Sequence, residues 1–189
     1  MMVSVVCDQL THHAIGMIEH DTVPGIVSLM THENAQKIQR IKQRDVSKGF
    51  IVLIPNMGHL GALVDDVSPM AWRLIHAYWP GPLTIIFRKN PRVSPIITGH
   101  RDTIAVRYPR HWLLSTVLRQ VNRPLISTSA NMSGQNEDVR TMAERVDVSL
   151  GDFKGSSTGV PSTIVSVVTD PPTVLRQGAI TISGRYFCK

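Results

Sequence analysis

Between Pro124 and Gly134 the chain reads P-L-I-S-T-S-A-N-M-S-G, a dense grouping of neutral hydrogen-bonding side chains. Pro124, Leu125 and Ile126 have the character of a buried strand. It opens into Ser127, Thr128, Ser129 and Ser133 around Asn131, and Gly134 closes the loop. Small side chains let a ligand approach the backbone, and hydroxyls and an amide offer hydrogen bonds to phosphate or carboxylate oxygens. The same string also suits a strand ending in a polar turn whose serine or asparagine caps a helix. What separates the two readings is the rest of the chain.

Lys42-Gln43-Arg44 is followed by Lys48-Gly49. Three cations beside a glycine at a helix-to-strand junction have the chemistry to hold a polyphosphate, with Arg44 giving a planar fork. A solvated turn is the plainer reading of the cluster in isolation. Arg107 directly follows the apolar run Ile104–Val106, where it either faces a cleft at the sheet edge or pairs with Asp102. Pro161-Ser162-Thr163 again sets hydroxyls beside a β-branched run, and Arg176-Gln177-Gly178 places an arginine ahead of a permissive glycine. Trp79-Pro80-Gly81-Pro82 reads as a rigid corner.

Neither a G-x-x-x-x-G-K-[ST] loop nor a G-x-G-x-x-G fingerprint occurs. No serine, histidine and acid are spaced as a triad, and Cys7 is not in a nucleophile's setting. His12-His13 reads as a surface pair rather than a metal site, and no metal ligands are assigned. Many oxyanion-binding groups without a nucleophile point to catalysis by electrostatic positioning, as adenylyl transfer requires.

The elements that must position these groups follow from periodicity. Met1–Leu10 is undecided between a short helix and a frayed segment. Strands are expected at Ala14–Ile18, Phe50–Ile54, Leu83–Phe87, Ile104–Val106, Leu125–Ser127, Thr163–Val168 and Val174–Arg176. Helices are expected at Asn34–Ile41, Pro69–Tyr78 and His111–Val121. A further amphipathic helix is expected at Thr141–Leu150, with Met142, Val146 and Leu150 on one side. Alternating strands and helices argue an α/β fold, and the short connections a mixed sheet. At 189 residues, 42% hydrophobic and 18% charged, the chain suits one soluble domain over 1–189. It has no membrane-length apolar run and no basic signal-like start. Its two cysteines read as free thiols of a cytoplasmic protein. The net charge of +6 comes from 14 arginines against six lysines, a bias suited to forked recognition of phosphate or carboxylate.

Together these blocks resemble the YrdC/TsaC family of threonylcarbamoyl-adenylate synthases. The matching strings, in order, are D-T-V-P-G at Asp21, I-K-Q-R-D-V-S-K-G at Ile41, W-P-G-P-L-T at Trp79 and T-I-A-V-R at Thr103. P-L-I-S-T-S-A-N-M-S-G, P-S-T-I-V at Pro161 and R-Q-G-A-I at Arg176 complete the set. One block departs from the family's pattern: Glu19 and His20 stand where it has proline and threonine, and Pro24 where it has an aromatic. On the resemblance, Glu19 adds negative charge beside an anion site, and Pro24 removes a wall of the threonine pocket.

The resemblance implies a twisted open mixed sheet flanked by helices, with a basic concave face. It implies a nucleotidyltransferase that makes threonylcarbamoyl-AMP and pyrophosphate from L-threonine, bicarbonate and ATP with Mg2+. The product serves t6A modification of tRNAs that read ANN codons, through a separate transferase complex. Arg44, Lys48, Thr103, Ser129, Asn131 and Arg176 would line the ATP side, and Lys42, Arg44 and Lys48 would neutralise the departing pyrophosphate. Thr22, Arg107, Ser127 and Ser162 would line the threonine side, with Arg107 on the carboxylate. The alternative is a YrdC-like paralogue that binds nucleotide, tRNA or double-stranded RNA through the basic face without this activity.

Overall fold

The computed structural model describes residues 2–130, 139–153 and 158–186, with the side chains of 139 and 140 excepted. Among these residues nine strands form one mixed sheet. The strands are β1 (Gly16–Ile18), β2 (Gly25–Leu29), β3 (Ile51–Leu53), β4 (Leu83–Arg88), β5 (Thr103–Arg107), β6 (Leu125–Ser129), β7 (Val148–Leu150), β8 (Thr163–Ser166) and β9 (Thr173–Arg176). Their order is β7-β1-β2-β6-β3-β5-β4-β8-β9. The pairs β1–β7, β3–β5 and β4–β8 are parallel and the others antiparallel.

Among the described residues six α-helices accompany the sheet: α1 (Met2–Thr11), α2 (His32–Ile41), α3 (Pro69–Tyr78), α4 (Pro95–Thr98), α5 (Trp112–Val121) and α6 (Val139–Ala143). Local chemistry sets their ends. Thr31 caps α2 by accepting the Asn34 amide at 3.2 Å, and Ser68 caps α3 by accepting the Ala71 amide at 3.2 Å, with Pro69 in the first turn. Asn122 closes α5 in the left-handed region at φ 49°. None of the described helices is long and apolar enough to cross a membrane.

The period-two alternation of the strands divides the core between two faces. Ile26, Val52, Ile126, Ile85, Phe87 and Val106 share a cluster with Ala35 and Ile38 of α2 and Ala71, Leu74 and Ile75 of α3. On the other face Val27, Leu29, Leu53 and Leu125 pack with Leu10 of α1 and Leu114 and Val117 of α5. Those two helices pack on each other and cover only part of their face. Farther across, Ile51, Ala105, Ile86 and Ser166 lie in one cross-strand row and stay partly exposed. That incomplete cover leaves room for a cleft.

One expectation fails here. The helix predicted over Thr141–Leu150 does not form. α6 ends at Ala143, and Val148–Leu150 is a strand parallel to β1. Its three apolar residues do not share a side, because Met142 joins the first cluster and Leu150 the second. No strand is expected at β2, whose five residues are all buried because it lies between β1 and β6.

The last strand is fastened to the sheet by a polar stitch. Thr163 Oγ1 accepts the amides of Gly178 at 3.0 Å and Ile180 at 3.2 Å, and donates to the Ile180 carbonyl at 2.5 Å. A Cβ on Gly178 would fall 2.2 Å from the Pro161 carbonyl oxygen and 2.6 Å from that of Ser162, both backbone atoms that cannot step aside. Gly178→Ala is therefore expected to cost on the order of 1–3 kcal/mol by overpacking. Thermal unfolding measures it, and an unchanged Tm would contradict the packing described.

Candidate functional site

The uncovered part of the second face opens into a cleft of about 630 Å³, within the usual range for a small-molecule site. Strand ends build it. Gly25 at the start of β2 pairs with Ser129 at the end of β6, Ile51 of β3 pairs with Ser127, and Leu53 pairs with Arg107 at the end of β5. All six line the cleft, joined by His20, Thr22 and Pro24 of the β1–β2 connection, by Arg44 and Gly49, and by Ser162 and Arg176.

Arg107 is buried, with only 3% of its surface exposed. Its Nη2 meets Asp21 Oδ1 at 2.5 Å, its Nη1 donates to Thr22 Oγ1 at 2.9 Å, and its Nε donates to the Gly81 carbonyl at 3.0 Å. Burial pulls its pKa down and Asp21 opposes that pull, so the guanidinium stays charged in a site that water scarcely reaches. The sequence offered a cleft position or a pairing with Asp102. The observed partner is Asp21, and Arg107 lines the cleft as well. A guanidinium has five N–H donors, so bonding to these three partners leaves two for a ligand.

The cation cluster at Lys42–Lys48 is divided. Lys42 is buried rather than presented to a ligand: its Nζ donates to the Ser129 carbonyl, and it does not line the cleft. Burial, and then the charge of Arg44, pushes its pKa down to about 8. Arg44 does face the cleft, held by donation from Nη2 to the Gly49 carbonyl at 2.9 Å and by its guanidinium 5.7 Å over the Phe50 ring. Lys48 is exposed and Thr103 half-buried, and neither is on the cleft wall. Gln43 at φ 46° makes the turn that sends Lys42 and Arg44 in different directions.

Arg176 approaches from the far side. Its Nε and Nη2 donate to the Ser162 carbonyl at 3.0 and 2.8 Å, and Nη2 also reaches Ser162 Oγ at 3.2 Å. Ser162 Oγ in turn lies 2.8 Å from Thr84 Oγ1. Of the residues expected at the ligand, the structure thus gathers Thr22, Arg44, Arg107, Ser127, Ser129, Ser162 and Arg176. Asn131 lies outside the described residues.

The divergent block supplies residues that sequence reasoning did not assign. Glu19 is not in the cleft wall; its side chain packs against Gly151, where a Cβ would sit 2.8 Å from Oε2. The expected negative charge at the anion site is therefore directed elsewhere. His20 does line the cleft, though only 4% exposed. Trp79-Pro80-Gly81-Pro82 is a corner as expected, with Trp79 Nε1 donating to the Leu83 carbonyl at 2.7 Å. It also presents the Gly81 carbonyl to Arg107. Among the described residues, no three His, Cys, Asp or Glu side chains converge as a metal site.

Burial, then the charges of Arg107 and His111, lowers the His20 pKa from its usual 6.5 to about 3. Between these values the unfolded chain binds a proton there that the folded chain does not. Stability from this group is complete above about pH 6.5 and falls as pH drops toward 3, by about 1.4 kcal/mol per unit. His20→Gln should flatten the fall of Tm between pH 6 and pH 4. Parallel wild-type and variant curves would contradict the burial of this ring.

The family model Sua5_yciO_yrdC, described as "Telomere recombination", matches residues 8–178. A threonylcarbamoyl-AMP synthase of Pyrococcus abyssi is 32% identical over 173 residues, covering 86% of this chain and 49% of the relative. One from Vibrio campbellii is 36% identical over 155 residues, covering 77% and 82%. The chain spans about half the length of the Pyrococcus relative. The crystal structure of Pyrococcus abyssi Sua5 complexed with L-threonine superposes with a TM-score of 0.87 at 27% identity, over 93% of this chain and 54% of that one. By sequence and by fold, the chain belongs to the Sua5/YciO/YrdC family.

Proposed function

We propose that this chain makes threonylcarbamoyl-AMP and pyrophosphate from L-threonine, bicarbonate and ATP, in the cytoplasm, for t6A modification of tRNAs that read ANN codons. The observation that carries the reading is the convergence of Arg44, Arg107 and Arg176 on one cleft walled by the hydroxyl-rich end of β6. Three guanidinium groups in a site with restricted access suit two anionic substrates that must meet. The names of the relatives in Pyrococcus and Vibrio give the same chemistry.

In this account the threonine carboxylate takes the two remaining donors of Arg107, with Thr22, Ser127 and Ser162 around it. The triphosphate lies between Arg44 and Arg176, with Ser129 at the α-phosphate. Lys42 holds the carbonyl of Ser129 and so fixes the strand end rather than touching phosphate. Lys48 and Thr103 stand outside the wall, as supports of the ATP side. Magnesium enters with ATP, bound to its phosphates, and neutralises charge as part of that substrate.

The chemistry needs no enzyme nucleophile. The threonine amine adds to the carbon of bicarbonate-derived CO₂, and the carbamate and one water result. A carbamate oxygen then attacks the α-phosphorus, the bond to the bridging oxygen of the β-phosphate breaks, and pyrophosphate leaves. What the protein contributes is orientation and fixed positive charge around the oxygens that gain negative charge. The product passes to a separate transferase complex. The second reading, a paralogue that binds nucleotide or RNA without making this product, draws on His20 and Pro24 in the cleft wall.

Purified protein given ATP, magnesium, bicarbonate and L-threonine should release pyrophosphate and a product with the mass of threonylcarbamoyl-AMP, both dependent on threonine and bicarbonate. Nucleotide binding without that product would overturn the reading in favour of the paralogue. Arg44→Ala should lower kcat/KM by on the order of 10²-fold or more with an unchanged Tm, because Arg44 is held mainly by local carbonyls. Full activity in that variant would remove the basic cluster from the mechanism.

A further inference from the structure

His20 occupies a position that the proposed reaction leaves without a task. It sits in the connection between β1 and β2, on the cleft wall, with 4% of its surface exposed. Its Nε2 is buried and has no hydrogen-bond partner among the described residues. A buried nitrogen without a partner costs about 1–3 kcal/mol, so either the fold tolerates that loss or a ligand removes it.

The surroundings favour a ligand. A Cβ on the facing Gly25 would fall 2.5 Å from Cε1 and 2.8 Å from Nε2 of His20, so the glycine is what admits the ring. Gly25 lines the same cleft. The ring therefore packs on the Gly25 backbone at the cleft wall, one residue from Asp21 and two from Thr22, both of which Arg107 holds.

We propose that His20 is a specificity-determining residue whose Nε2 hydrogen-bonds the side-chain hydroxyl of the bound amino acid. The inference rests on the threonine reading above. The choice of group follows from charge. The imidazole stays neutral beside the Arg107 guanidinium, so it carries one N–H and one lone pair. A carboxylate has a stronger partner in Arg107, and an ammonium would be placed against that same guanidinium. A hydroxyl both donates and accepts, and it matches either tautomer of a neutral ring. Val23 and Pro24, also on the wall, offer apolar surface for a β-methyl group.

A site built to bond a hydroxyl strongly rejects the isostere that lacks one, since its buried polar atom is then left alone. The test is calorimetric titration of L-threonine and L-valine into the wild type, His20→Ala and His20→Gln, each with ATP and magnesium present. The product assay is run on the same preparations. The wild type should prefer threonine over valine by on the order of 10²-fold or more. His20→Ala should lose most of that preference through weaker threonine binding, and His20→Gln, which restores an amide near Nε2, should regain part of it. Equal preference in the wild type and a folded His20→Ala would overturn the inference. So would a loss that is the same for threonine and valine, which would place the ring against the common amino acid backbone. A wild type that binds threonine selectively through His20 but yields no adenylate would keep this inference and overturn the proposed reaction. Absence of threonine binding to the wild type would overturn both.

Discussion

One buried guanidinium organises the site. Removing a charge from water costs several kcal/mol unless hydrogen bonds and an opposite charge replace what water gave. Arg107 meets that demand with Asp21 and Thr22 from the β1–β2 connection and with the Gly81 carbonyl from the corner before β4. Two segments far apart in sequence are thereby drawn to the end of β5. The loop that carries His20 and Pro24, the Trp79–Pro82 corner and the strand end are all fixed by one side chain. The charge that makes the cleft attractive to an anion also holds its walls together.

The sheet provides the setting for this arrangement. Helices α1 and α5 cover the β2, β6 and β3 portion of their face and stop short of β5, β4 and β8. An arginine at the end of β5 therefore stands at the boundary between packed core and open surface. Such a boundary gives low dielectric behind the group and ligand access in front, which strengthens each electrostatic contact. Arg44 and Arg176 occupy the rim of the same opening. Each is bonded to backbone carbonyls of its own neighbourhood and so is oriented before a ligand arrives.

Much of this was legible in the sequence where local rules dominate. Pro69–Tyr78 is legible to the residue, because Pro69 opens a helix and Trp79-Pro80 cannot continue it. The strands at Leu83 and Ile104 announced themselves as apolar runs. Gly25–Leu29 is less legible because it is a short run directly behind a polar block, although I-V-S-L carries the signal. Met142, Val146 and Leu150 fit a helical spacing, yet the parallel partner offered by β1 claims Val148–Leu150, a long-range effect that periodicity cannot contain. The site shows the same division. On residue type alone Arg44, Arg107 and Arg176 were each open to a structural reading, and it is the resemblance of the blocks that expects them around one ligand; all three line the cleft. That Lys42 turns inward to Ser129, that Asp21 and not Asp102 pairs with Arg107, and that His20 enters the wall while Glu19 does not, depend on chain segments meeting in space.

The most direct test of the account is a crystal structure of this chain with L-threonine and a non-hydrolysable ATP analogue. It should show the threonine carboxylate on Arg107 while the Asp21 pair is kept, and the triphosphate between Arg44 and Arg176 with its α-phosphate beside Ser129. Either ligand seated outside the cleft, or an Arg107 bonded only to its own neighbours with both ligands present, would contradict it.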